Sequence, residues 1–206
     1  MILKQYTVGP IEANNYLLVD EDTKDAVLID CSGKEQAILD DINNLKANVK
    51  YILLTHGHFD HVLGVNEMKK ETGAKVYINK GDVFMLDNIN QIMAMFGMNT
   101  EVDVPEYDEL VEDGQELPFG DTKIKVIYTP GHSEGGVCYL VDGKLFSGDT
   151  LFRESVGRTD LYGGNFKTLL NSIKGTLFNL DENIEVYPGH GPSSTIGHEK
   201  NYNQFM

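Results

Sequence analysis

Thr55-His56-Gly57-His58-Phe59-Asp60-His61 is the stretch that decides how this chain reads. Three of the chain's six histidines and one carboxylate fall within it. At this chain's own histidine and aspartate frequencies, a fixed H-x-H-x-D-H pattern arises by chance on the order of a few times in ten thousand such chains. Imidazole and carboxylate are the ligands that suit zinc and other borderline divalent ions. Alternate residues of an extended loop can turn His56 and His58 to one side, while Asp60 and His61 face a neighbouring point where a second ion can sit.

Three more places repeat the arrangement in which a potential ligand follows a short apolar strand. Tyr51 to Leu54 leads into His56; likewise Val126-Ile127-Tyr128 precedes His132, Leu145-Phe146 precedes Asp149, and Val186-Tyr187 precedes His190. Loops that leave one edge of a layered α/β fold converge, so ligands far apart in sequence can meet at that edge. Gly131, Gly148 and Gly189 stand immediately before three of these ligands, where the backbone must turn tightly.

The rest of the chain supplies the layers. The first thirty residues alternate polar and apolar through 3–8, 11–19 and 26–29 and predict a β-meander. Ala37, Ile38, Ile42 and Leu45 recur at helical spacing, predicting a helix over 33–45, followed by a buried strand over 49–54. A helix over 61–71 and a strand over 75–78 come next. The methionine-rich segment 82–98 reads as a helix on the core, with an adaptable apolar wall beside a pocket as the other reading. Beyond an acidic stretch, strands are expected at 123–128, 137–141 and 144–146, a helix at 166–178, a strand at 184–187, and then a polar tail. Each half runs from strands to helices, which suggests two αβ layers packed face to face in one domain over 1–206.

Composition narrows the partners. The formal net charge is −15 and the only arginines, Arg153 and Arg158, share one loop-like stretch, so no basic groove for nucleic acid is expected. No apolar run is long enough to cross a membrane, and the N-terminus lacks the basic start and apolar core of a signal peptide. Two cysteines, Cys31 and Cys138, make no disulfide framework and fit a reducing cytoplasm. Cys31 is read as a packing residue and His198 as an ordinary surface or helix-start residue. A small-molecule substrate is the expected partner.

The set THGHFDH, PGHS with His132, SGDT with Asp149 and PGHG with His190 resembles the metallo-β-lactamase superfamily, in particular its short glyoxalase II-like members. The likeness runs from Asp30 to about Asn203. It implies an αββα sandwich with two divalent ions at one edge, zinc first, with iron or manganese as alternatives. It further implies that His56, His58 and His132 hold one ion, that Asp60, His61 and His190 hold the other, and that Asp149 bridges them. The implied chemistry is attack of a metal-held hydroxide on a thioester carbonyl, with Asp60 and Asp149 as catalytic groups orienting it.

Departures from the pattern matter. Glyoxalase II carries a further helical domain that helps to hold glutathione, and no room for it is seen before Met206. Arg158 matches a position where glyoxalase II contacts the thiol cofactor and is expected to bind substrate, but Asp160 replaces a tyrosine two residues on; a structural Arg158–Asp160 pair is the competing reading. The Gly-Arg-Thr-Asp string also resembles persulfide dioxygenases, which use one iron held by two His and one Asp. Three functions are therefore weighed: a two-metal hydrolase of thioesters of the hydroxyacylglutathione type or related small esters, a mononuclear iron dioxygenase, and a metal-binding module without catalysis.

Overall fold

The computed structural model covers residues 1–206 and arranges them as two six-stranded sheets stacked face to face, with helices on both outer surfaces. The first sheet runs in sequence order: Ile2–Val8 (β1), Ala13–Val19 (β2), Asp25–Ile29 (β3), Asn48–Leu53 (β4), Lys75–Asn79 (β5) and Glu109–Val111 (β6). The expected meander β1–β3 is antiparallel, and β3 to β6 are parallel, linked by helical crossovers. Those crossovers carry Gln36–Leu45 (α1), Phe59–Val62 (α2), Val65–Thr72 (α3), Val83–Asp87 (α4) and Ile89–Met95 (α5).

The second sheet is built from Glu116–Phe119 (β7), Thr122–Tyr128 (β8), Val137–Val141 (β9) and Lys144–Gly148 (β10). A hairpin, Leu151–Phe152 (β11) and Ser155–Val156 (β12), then crosses the sheet edge before helix Phe166–Gly175 (α6). Glu185–Pro188 (β13) returns parallel to β10, and Ser194–Thr195 (β14) closes the sheet before helix Ile196–Tyr202 (α7).

Successive side chains of a strand point to opposite faces, and here both faces are dry. Leu17 and Val19 pack under α1 to α5, whereas Leu18 between them packs on the other sheet. In the second sheet, Val137 and Tyr139 face the inter-sheet core while Cys138 faces α6. The result is three apolar layers separating four structural layers, the αββα sandwich.

Several expected elements differ in detail. Strand β2 is buried at every position from Ala13 to Val19, so the alternation expected over 11–19 gives way to burial on both faces. The helix expected over 61–71 is broken into α2 and α3 at Leu63-Gly64, and Gly64 packs so closely that an added Cβ would collide with the backbone of Gly33. The expected polar tail contains β14 and α7; Thr195 caps that helix by accepting from the His198 amide at 3.1 Å. His198 thus sits in the first turn of a helix, as read, and pairs with Glu154 at 2.9 Å. Cys31 is fully buried in the first helical layer.

The segment 82–98 serves both of its readings. Met85 and Met93 are buried in the core, whereas Met95 is 84% exposed and Phe96 is 44% exposed. Phe96 meets Phe59 at a ring-centroid distance of 5.4 Å, on the wall of a cleft.

Candidate metal centre

All seven residues singled out as ligands converge at the edge where β4, β8, β10 and β13 end. The ring nitrogens of His56, His58 and His132 lie within 4.8 Å of one another, and so do the ligand atoms of Asp60, His61 and His190. Asp149 lies between the two groups. Its Oδ1 is 3.5 Å from His61 Nε2, and its Oδ2 is 3.5 Å from His132 Nε2 and 3.6 Å from His190 Nε2.

Glycine makes that approach possible at two strand ends. Gly148 has φ +48°, and a Cβ there would lie 2.5 Å from Thr55 Oγ1. At Gly189 a Cβ would collide with Asp149 Oδ1 and lie 2.8 Å from His61 Cε1. Strand β2 fastens the His190 loop from the opposite sheet, since the Asn14 side-chain amide donates to the carbonyls of Pro188 at 3.0 Å and Gly191 at 2.9 Å.

The outer nitrogens of the imidazoles fix which nitrogen faces inward. His61 Nδ1 donates to Asp30 Oδ2 at 2.8 Å, His132 Nδ1 to the Arg158 carbonyl at 2.7 Å, and His190 Nδ1 to the Glu12 carbonyl at 3.2 Å. The Thr55 hydroxyl donates to Asp30 at 2.8 Å and so accepts from His56 Nδ1 at 3.0 Å. Each of these four rings therefore turns its Nε2 toward the centre, the atom that serves as a metal ligand once it is free of a proton. His58 differs: its Nδ1 faces His132 Nε2 at 2.8 Å.

Several observations test whether these residues suit a cation. The 2.8 Å between His58 Nδ1 and His132 Nε2 is an N–H···N hydrogen bond, so a cation bound at both rings would displace the proton between them. His56 Nε2, His58 Nε2 and Asp149 Oδ1 are buried with no hydrogen-bond partner, a cost that coordination of the inward-facing His56 and Asp149 atoms removes. Burial and the neighbouring His132 hold His58 down at about 3, and burial keeps His56 neutral as well. Burial opposes charge on His61 too, but Asp30 and Asp149 raise it to about 10, so that half of the centre has a deficit of positive charge. The donor set fits one cation in each half.

Two supporting carboxylates carry no local pattern in the sequence. Asp30 also accepts from the Thr55 amide at 2.8 Å, so both its oxygens are engaged in holding His61 and the strand end beneath the histidine loop. Asp82 is buried and accepts from the Gly57 amide at 2.9 Å, the Ser133 hydroxyl at 2.7 Å and the Gly135 amide at 2.6 Å. It ties the His56–His61 loop to the loop that carries His132.

The centre floors an open cleft of about 470 Å³ walled by Ile11, Phe59, Phe96, Phe152, Val156 and Leu161. Arg158 lines its mouth, but its guanidinium is engaged by Asp160, with Nε to Oδ1 at 2.7 Å and Nη2 to Oδ2 at 2.8 Å. The hairpin carrying Phe152 and Val156 is held from behind by α7: buried Glu199 accepts from the Glu154 amide at 2.8 Å, and the Asn203 side chain donates to the Ser155 carbonyl at 2.9 Å. No helix is long and apolar enough to cross a membrane.

Known proteins share this construction. The family model described as the metallo-β-lactamase superfamily matches residues 8–197. The hydroxyacylglutathione hydrolase GloC of Haemophilus influenzae is 33% identical, over 93% of this chain and 92% of its own length. Among solved structures, BLEG-1 B3 metallo-β-lactamase superimposes with a TM-score of 0.90 at 37% identity, covering 99% of both chains. TTHA1623 in a di-iron-bound form gives 0.87 at 34% identity, over 98% of this chain and all of that one. On its fold, its paired donor sets and these relatives, the chain belongs to the metallo-β-lactamase superfamily of metallo-hydrolases.

Proposed function

We propose that this protein hydrolyses thioesters, of the hydroxyacylglutathione type or of related small thiols, with two divalent metal ions, zinc being the first candidate. One observation carries the reading: six donor residues form two sets of three around a seventh, Asp149, at the floor of an open cleft, whereas a closed structural site uses four. In this reading His56, His58 and His132 hold one ion, Asp60, His61 and His190 the other, and Asp149 serves both. When bound, such a pair supplies a water acidified enough to attack near neutral pH and polarises the carbonyl.

The protein's own groups do the rest. Asp60 and Asp149 are the carboxylates that line the cleft, so they are the groups placed to orient an attacking water and take up its proton. The apolar wall receives the acyl group and excludes bulk water from the carbonyl. His58 and Asp60, which a mononuclear dioxygenase holding iron through two His and one Asp would leave idle, both lie among the donors, and this favours the hydrolase.

The test compares wild type with Asp60→Ala. Thioester hydrolysis is measured under anaerobic conditions, and oxygen uptake is measured with glutathione persulfide. Hydrolysis should proceed without oxygen and fall by roughly two to four orders of magnitude in kcat in the variant. Oxygen uptake that persists in both proteins would overturn the reading. Turnover of a β-lactam faster than any thioester would overturn the substrate assignment.

A further inference from the structure

The cleft has one cation at its mouth, and that cation is already occupied. Arg158 is anchored at the centre through its carbonyl, which accepts from His132 Nδ1 at 2.7 Å. Its side chain points along the rim, where the fork meets both oxygens of Asp160. A two-point, charge-assisted contact of this kind takes the Nε–Nη2 edge of the guanidinium, one of the two edges that can receive a carboxylate, and offsets its charge with that of Asp160. No lysine lines the cleft, and its remaining polar lining is the acidic Asp60 and Asp149, the rings of His58, His132 and His190 in the centre, and Ser155. Six apolar side chains, Ile11, Phe59, Phe96, Phe152, Val156 and Leu161, make up the rest of the surface a substrate meets outside the centre.

We propose that Asp160 is a specificity-determining residue: by engaging one edge of the Arg158 fork and offsetting its charge it weakens the one rim cation in substrate recognition, so that the cleft discriminates against thioesters bearing a carboxylate within reach of that rim. The inference rests on the thioesterase reading for its chemical class, and on the rim geometry for its selectivity. Replacing Asp160 with Asn keeps the shape but removes both the charge that holds the fork and the charge that repels an anion.

The experiment uses the full chain with its metals, in three forms: wild type, Asp160→Asn, and Asp160→Asn combined with Arg158→Gln. Two probes are matched, the thioester of 3-mercaptopropionate and that of its methyl ester, with the corresponding non-hydrolysable thioethers for calorimetry. Asp160→Asn should tighten binding of the acid thioether about five- to tenfold and lower KM for the acid thioester to match, with the ester probes changed less than about twofold. The gain should vanish in the double variant. Equal effects on acid and ester, or a gain that survives without Arg158, would overturn the proposal. If neither thioester is turned over while the binding difference is intact, the selectivity stands and the hydrolase reading fails.

Discussion

Replacing Asp82 with Ala removes the acceptor that ties the His56–His61 loop to the loop carrying His132, although Asp82 itself is not among the clustered donors. Three donors converge on it, the Gly57 and Gly135 amides and the Ser133 hydroxyl, at 2.6 to 2.9 Å. Hydrogen bonds to a charged acceptor contribute roughly 1.5–3 kcal/mol each, and a stranded buried donor costs roughly 1–3 kcal/mol. Part of this is offset, because burial pushes the Asp82 carboxyl above its ordinary range and so marks a desolvation cost. A net loss of about 3 kcal/mol follows, which for a chain of this size lowers the urea midpoint by about 1 M. The melt is run on chelator-treated protein, so that metal binding does not add to stability. Affinity for metal should also drop, by roughly 10- to 100-fold, because His58 and His132 lie on the two segments that Asp82 connects. Competition with a chromophoric chelator measures it. A midpoint shift below about 0.3 M together with wild-type metal affinity would refute the reasoning.

Asp149→Ala should reduce occupancy in both halves of the centre, seen as a fall in total metal by elemental analysis; loss confined to one ion would contradict its shared placement. Met93 within α5 and Phe96 just past its end should separate in mutagenesis. Met93→Ala should cost about 2–4 kcal/mol of stability through a core cavity, while Phe96→Ala should raise KM severalfold with kcat and melting temperature near wild type. Burial pushes the Cys31 thiol up and raises that of Cys138 to about 11, so neither should react with a thiol reagent at pH 8 until the chain is denatured, when two should appear.

The cluster was legible because coordination needs particular residue types at fixed spacing, and His56, His58, Asp60 and His61 stand that close together in the sequence. Strand ends before His132, Asp149 and His190 were legible for a similar reason: short apolar runs are followed within one to three residues by a glycine directly before the ligand type. Asp30 and Asp82 were not. Each is a single carboxylate among 32 acidic residues, and its role comes from partners that only the fold brings near, His61 and Thr55 for one, Ser133 and Gly135 for the other. Helix α7 escaped because Ile196 and Glu199 are its only buried residues, and Glu199 is buried through polar partners rather than apolar periodicity. Gly64 did carry a warning in the helix expected over 61–71, but the collision with Gly33 that it avoids is a tertiary fact.

The central claim, that two ions act together in hydrolysis, is tested most directly by titrating chelator-treated protein with zinc and following anaerobic thioester hydrolysis as metal is added. Activity should stay low through the first equivalent and rise to a break at about two per chain, as two separate donor sets sharing Asp149 require. Full activity at one equivalent, unchanged by further metal, would contradict it.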